Sequence, residues 1–168
     1  GTINVDQVIG ILVIAVLGIV GGLISLAFCK SLLALRLWFR RLPKWTVMLQ
    51  PAMGGVVIGA TLLFFPEVKG VGYDYVDQAL NGGLVLRTMA LLCVVKLGAT
   101  VISYCSGNAG GIFAPSLYIG AMAGGVVGMA VNTVAPFPTG EPGAYALVGM
   151  GALFAGIIRA PLTSVFMI

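Results

Sequence analysis

The chain has 168 residues, of which 60% are hydrophobic and 8% charged, with a net charge of +4 and a mean hydropathy of +1.11. Soluble domains carry roughly 25% charged residues, so this composition excludes an ordinary soluble domain and leaves an integral membrane unit, long enough for about five spanning segments of ~20 residues each plus loops. The basic excess clusters at positions 30–44 and reads as membrane topology, not as a nucleic-acid surface.

The N-terminal ten residues are polar and lack the basic-then-apolar order of a signal peptide. The absence of a starting Met leads us to expect a piece of a longer chain. The first apolar run covers 8–28 and holds Gly10, Gly18, Gly21 and Gly22, residues that let membrane helices pack closely. It continues through 32–39, where apolar and basic residues alternate as at an interfacial helix end. Lys30, Arg36, Arg40, Arg41 and Lys44 then read as a short cytoplasmic loop, flanked by Trp38 and Trp45 as interfacial aromatics. A second apolar run, 45–65, is broken early by Pro51 and by Gly54-Gly55. The stretch 67–81 is polar, with a short helix expected over 75–80. The third run, 84–102, carries Arg87 near its start and Lys96 well inside.

The sequence from Ser103 to Pro115, Ser-Tyr-Cys-Ser-Gly-Asn-Ala-Gly-Gly-Ile-Phe-Ala-Pro, interrupts apolar text on both sides. Pro115 suits the first turn of a helix, where its missing N–H costs nothing. Gly107, Gly110 and Gly111 allow a tight bend and a close backbone approach. A helix is expected from Ala114 or Pro115 to about Val131, with Gly120, Gly124, Gly125 and Gly128 suited to tight packing. Its first N–H groups have no partner within the helix. At membrane depth they need one, and an anion is a natural choice. The alternative is a helix break that serves packing alone. Positions 135–143 read as a loop, 143–158 as another apolar run that Arg159-Ala160-Pro161 ends, and 161–168 as the start of a segment too short to cross a bilayer.

Gly111-Ile112-Phe113-Ala114-Pro115 resembles the G-x-F-x-P motif that opens a helix in the CLC chloride channels and chloride/proton antiporters. Ser106-Gly107, residues 116–121, residues 149–153 and residues 158–163 are similar to that family's text as well. The resemblance implies an all-α polytopic membrane fold of tilted and broken helices, with 1–168 as part of a CLC-type transmembrane domain truncated at both ends. It implies transport of chloride or a related small anion by a channel or antiporter, a multi-pass location in the cell membrane, and a homodimer in the full-length protein. Carried over residue by residue, it makes the backbone N–H groups of Ile112, Phe113 and Ala114 the anion donors, with Gly110, Gly111 and Pro115 fixing the turn. The family's gating Glu, central Ser and late Tyr have no counterpart in this stretch. A purely structural helix-packing piece and a different broken-helix carrier are the competing readings. A cation-coupled carrier would place a carboxylate within a helix, and here the acids fall in expected loops or at the N-terminal end.

Lys96 is a candidate for attracting anions near the inner mouth; the alternative is a side chain that snorkels to the interface. Snorkelling is the better reading for Arg87, and a structural anchor at a helix turn for Arg159. Ser103, Tyr104 and Ser106 are read as satisfying the loop backbone. With no His in the chain, Cys29, Cys93 and Cys105 lack metal-ligand spacing and are read as small core residues. No cofactor is expected, and no nucleophile–base pair supports an enzyme.

Alternating the crossings puts the basic cluster and Arg159 inside and Asp6, Glu67, Asp74, Asp77 and Glu141 outside. Cysteine labelling of the full-length protein is expected to place positions 40 and 41 on the cytoplasmic side and 74 and 141 on the opposite side; labelling of both groups from one side would refute the alternation.

Overall fold

The computed structural model describes residues 5–108, 110–134 and 141–168. Among the described residues it holds seven α-helices and no strand, as the all-α expectation requires. In chain order these are α1 (Val5–Arg41), α2 (Gln50–Phe64), α3 (Tyr73–Leu80), α4 (Leu86–Cys105), α5 (Phe113–Val134), α6 (Pro142–Ile158) and α7 (Pro161–Met167), with 3-10 turns at Lys44–Met48 and Pro66–Val68. The helices α1, α4 and α5 are long and apolar enough to cross a membrane.

Several boundaries differ from the sequence reading, each for a local reason. The basic cluster is not a loop: Lys30, Arg36, Arg40 and Arg41 are exposed residues of α1 itself, which runs unbroken for 37 residues. No Gly or Pro interrupts positions 23–42, Leu, Arg and Lys are good helix formers, and Arg40 and Arg41 stand in the last turn, where the dipole favours cations. The second run is not broken by Pro51 and Gly54-Gly55. Pro51 lies in the first turn of α2, where proline fits, and both glycines continue the helix. The short helix begins two residues earlier than expected, at Tyr73. The loop assigned to 135–143 lies outside the described residues at 135–140, and its end is helical, since α6 starts at Pro142.

The core forms around α5, whose residues 116–125 are all buried. Tyr118, Ile119 and Met122 on α5 meet Met89 and Leu92 on α4, Phe28 on α1 and Leu153 on α6. The tightest seam joins α5 to α6. A Cβ on Gly120 would stand 2.7 Å from Met150 Cα, one on Gly124 would meet the Tyr145 carbonyl oxygen, and one on Gly128 would stand 2.6 Å from the Tyr145 ring. From the other side, a Cβ on Gly149 would meet the Gly120 carbonyl. Glycines four apart on one helix face let two backbones touch, the usual device where lipid removes the hydrophobic drive between helices. Gly125 admits Met89 in the same way, and Gly21 of α1 admits Ala152 of α6. Gly10, Gly18 and Gly22 have open space at the Cβ position, so the packing role read for the glycines of α1 narrows to Gly21. Large apolar side chains such as Ile11, Leu12, Ile19, Leu23 and Leu33 are exposed along α1, the surface that acyl chains suit.

The seam gives a direct test. Gly124→Ala is expected to destabilise by about 1–3 kcal/mol, the usual cost of overpacking, and to lower the unfolding temperature in detergent. Gly55→Ala, with nothing within 4 Å of its Cβ, is expected to be neutral or stabilising by up to ~1 kcal/mol. Equal effects of the two would sink the seam as the stabilising contact.

Candidate functional site

The glycine-rich turn hangs between two anchored helix ends. On the upstream side α4 closes with Ser106, whose N–H donates to Ile102 O at 2.9 Å, and Gly107 then turns left-handed at φ 87°, a conformation glycine adopts without penalty. Ser106 is 1% exposed. Its Oγ donates to Ser103 O at 3.0 Å and accepts from Asn108 Nδ2 at 3.3 Å. The expectation that Ser106 satisfies the loop backbone therefore holds, and Ser106 is pinned further by α2. Gly54 of α2 is buried against it, and a Cβ there would collide with the Ser106 side chain. Gly54, read from sequence as part of a helix break, is a close-approach residue for the turn.

Downstream, α5 begins at Phe113, within the first turn expected from Pro115. The N–H of Ser116 donates to Ile112 O at 3.1 Å, and Ser116 Oγ donates to Phe113 O at 2.6 Å. Ile112, Phe113 and Ala114 thus belong to the start of the helix, where N–H groups have no acceptor within the helix. The Phe113 ring packs edge-on against Phe154 of α6, with centroids 5.1 Å apart at 87°, and Ile112 packs on the main core. Side-chain packing on both residues fixes the direction of the backbone between them. Gly110, Gly111 and Pro115 line a cavity of about 220 Å³, walled also by α2 and by Lys96, Thr100, Ser103 and Tyr104 of α4.

Lys96 is 4% exposed, so it does not snorkel to an interface. Its Nζ donates to Val68 O at 2.8 Å and to Gly70 O at 2.6 Å, and lies 5.0 Å from the centre of the Tyr118 ring. Two carbonyl dipoles and a ring face are favourable neighbours for an ammonium, but none carries a full negative charge. The fold brings them together through Gly70 and Gly72, both left-handed, at φ 61° and 76°; a Cβ on Gly72 would also stand 2.5 Å from the Tyr118 ring. Tyr118 Oη donates to Glu67 O at 3.5 Å. Glu67 Oε2 is buried without a hydrogen-bond partner among the described residues. Tyr118, Phe154 and the 67–70 segment escaped the sequence reading. The two glycines at 70 and 72 were the available signal for a sharp turn, but nothing local in the sequence tells that it folds onto Lys96. Arg87 and Arg159 are exposed and do not line the cavity. Arg159 sits in a left-handed conformation at the end of α6, φ 59°, the helix-turn position assigned to it.

The three cysteines are free. Cys93 is buried, with Sγ 3.8 Å from Ile119 O, while Cys29 and Cys105 are partly buried. Among the described residues no group of His, Cys, Asp and Glu could hold a metal ion.

The family model described as voltage gated chloride channel matches residues 4–168. A protein of Ralstonia nicotianae named as ClcB-like is 42% identical over 128 residues, covering 76% of this chain and 29% of that protein. A protein of Vibrio campbellii named H(+)/Cl(-) exchange transporter ClcA is 37% identical over 114 residues, 68% of this chain and 24% of that protein. One of the same name from Vibrio cholerae is 36% identical over 130 residues, 77% of this chain and 28% of that protein. The chain therefore spans between about a quarter and a third of the length of the relatives it matches.

Replacing Lys96 by Met tests the buried tether. The carbonyls of Val68 and Gly70 would lose a charged donor, and a buried polar group left unmatched costs about 1–3 kcal/mol. Backbone hydrogen exchange at 66–72 is expected to accelerate in Lys96→Met and to stay slow in Lys96→Arg. Unchanged exchange in the Met variant would show that the segment is held by other contacts.

Proposed function

The chain belongs to the voltage-gated chloride channel family, and on that premise we propose that the whole protein moves chloride or a similar small anion across the cell membrane, as a channel or as a chloride/proton exchanger. Similarity to Vibrio proteins named as H(+)/Cl(-) exchange transporters supports the exchanger arm. The chain is one part of a CLC-type transmembrane domain, and the full-length protein works as a homodimer in the bilayer.

The observation that carries this reading is the start of α5 at Phe113 within the G-x-F-x-P motif, in a chain that the family model matches over residues 4–168. The N–H groups of Ile112, Phe113 and Ala114 serve as donors to the passing anion, and Gly110, Gly111 and Pro115 set the turn that presents them. Backbone donors suit a transported ion. They supply partial positive charge and the positive end of the helix dipole, which count for more away from water. They carry no full cation that would hold the ion too tightly to release it. Lys96 adds a longer-range attraction for anions.

The test replaces the Phe113 amide by an ester in the full-length protein, which deletes one donor and leaves every side chain in place. Bromide occupancy is expected to weaken roughly tenfold or more, the loss of a hydrogen bond worth ~1.5–3 kcal/mol to a charged acceptor, and anion flux and selectivity should change with it. A folded ester variant with unaltered affinity and selectivity would falsify the backbone-donor role of Phe113.

A further inference from the structure

The far end of α1 carries more positive charge than its own helix explains. Five of the nine basic residues of the chain fall at positions 30–44, and positions 7–66 hold no acid. Lys30, Arg36, Arg40 and Arg41 are exposed, and among the described residues none of them has an ion-pair partner. The helix dipole accounts for Arg40 and Arg41, which stand in the last turn, but not for Lys30 or Arg36. Asp6, at the opposite end of the helix, is about 45 Å from Arg36 along its axis. The surface between these charges is apolar: Leu33, Leu37 and Trp38 are each more than half exposed. Arg36 and Arg40 stand one turn apart on one strip, and Lys30, Leu37 and Arg41 follow one another at spacings of seven and four on another. After Pro43 the chain folds back through the 3-10 turn. Thr46 Oγ1 donates to Pro43 O at 2.7 Å, and Gln50 Nε2 of α2 donates to Phe39 O at 3.4 Å. The corner tied in this way sets Trp45 and Met48, 72% and 90% exposed, just beyond the end of α1.

We infer that the α1–α2 corner is a docking surface for anionic phospholipid, with the guanidinium groups on headgroup phosphate and Leu37, Trp38 and Trp45 against the upper part of the acyl chains. The depth is right for this. Residues 8–29 carry no charge and as helix span about 33 Å, enough for the ~30 Å hydrocarbon core. Residues 30–41 add about 18 Å, so the cations reach headgroup level, where tryptophan also settles. The planar fork of arginine meets two phosphate oxygens at once. An acidic peptide would answer the charges but not the Leu and Trp side chains interleaved with them. A lipid answers both, because it joins a negative phosphate to an apolar chain within one molecule. Zwitterionic lipid presents the same phosphate beside a cation of its own, so the cluster selects by net charge. The inference needs only the membrane setting and is independent of the anion-transport reading.

The test places the full-length protein, with Trp38 kept as its one tryptophan, in phosphatidylcholine nanodiscs. Phosphatidylglycerol brominated on its acyl chains is introduced in steps, and its quenching of Trp38 is compared with that of brominated phosphatidylcholine at the same fraction. Phosphatidylglycerol is expected to be enriched at Trp38 roughly fivefold or more over its bulk fraction, the effect of at least one cation beside an anionic headgroup. Replacing Arg36 and Arg40 by Lys should keep most of the enrichment, since the charge persists. Replacing Arg36, Arg40 and Arg41 by Gln should abolish it, while Arg87→Gln, exposed at the start of α4, should leave it unchanged. No enrichment in the parent, or enrichment that persists in the folded Gln variant, overturns the inference. So does a polyglutamate peptide that binds the parent in discs where phosphatidylglycerol shows no preference, which would assign the surface to an acidic protein. If the triple variant does not fold, Arg36→Gln alone decides, and the enrichment must fall by about twofold or more. If removal of the other tryptophans unfolds the protein, native mass spectrometry of the unaltered chain decides by the same criterion, counting retained phosphatidylglycerol against phosphatidylcholine.

Discussion

Backbone contact between α5 and α6 is the constraint on which the rest depends. Gly120 and Gly124 meet Gly149 with no side chain between them. Such contact fixes the two helices in register as well as in distance, because only glycine rows can slot together and a shift by one residue would bring side chains against backbone. Once α5 is fixed, the depth of its first residue is fixed too. Phe154, a turn and a half along α6 from Gly149, then falls where it can meet the Phe113 ring edge-on. The seam therefore sets where the glycine-rich turn must end. Gly21 and Gly156 extend the same principle to α1, through Ala152 and Ser25. Much of what looks like a packing feature of three helices is in effect the positioning apparatus for one helix start.

Much of this was legible in the sequence, for physical reasons. Long apolar runs can only be helices at membrane depth, so α1, α4, α5 and α6 followed from hydropathy. Pro115 after Gly110-Gly111 located the start of α5 to within two residues, since proline and glycine constrain the backbone by their own covalent structure. The glycines of α5 were read as packing residues, and they are. The basic stretch was misread because charge is a good guide to membrane side and a poor one to secondary structure: Arg and Lys are as content in a helix as in a loop. Pro51 and Gly54-Gly55 misled in the opposite direction. A breaker in a helix's first turn breaks nothing, and Gly54 is small because Ser106 presses on it. That last fact joins residues fifty-two positions apart, and no local pattern carries it.

Lys96 shows where sequence reading stops. Its type and setting identify a costly charge, and cost implies a partner. The partner could have been a carboxylate, water at an interface, or backbone. The structure gives backbone, through a turn that needs left-handed glycine at 70 and 72. This choice has an electrical consequence. A carboxylate would have cancelled the charge and left the cavity neutral. Carbonyl dipoles stabilise the ammonium locally and fall off faster with distance than the charge does, while the buried Oε2 of Glu67, one residue from Val68, belongs to the same segment.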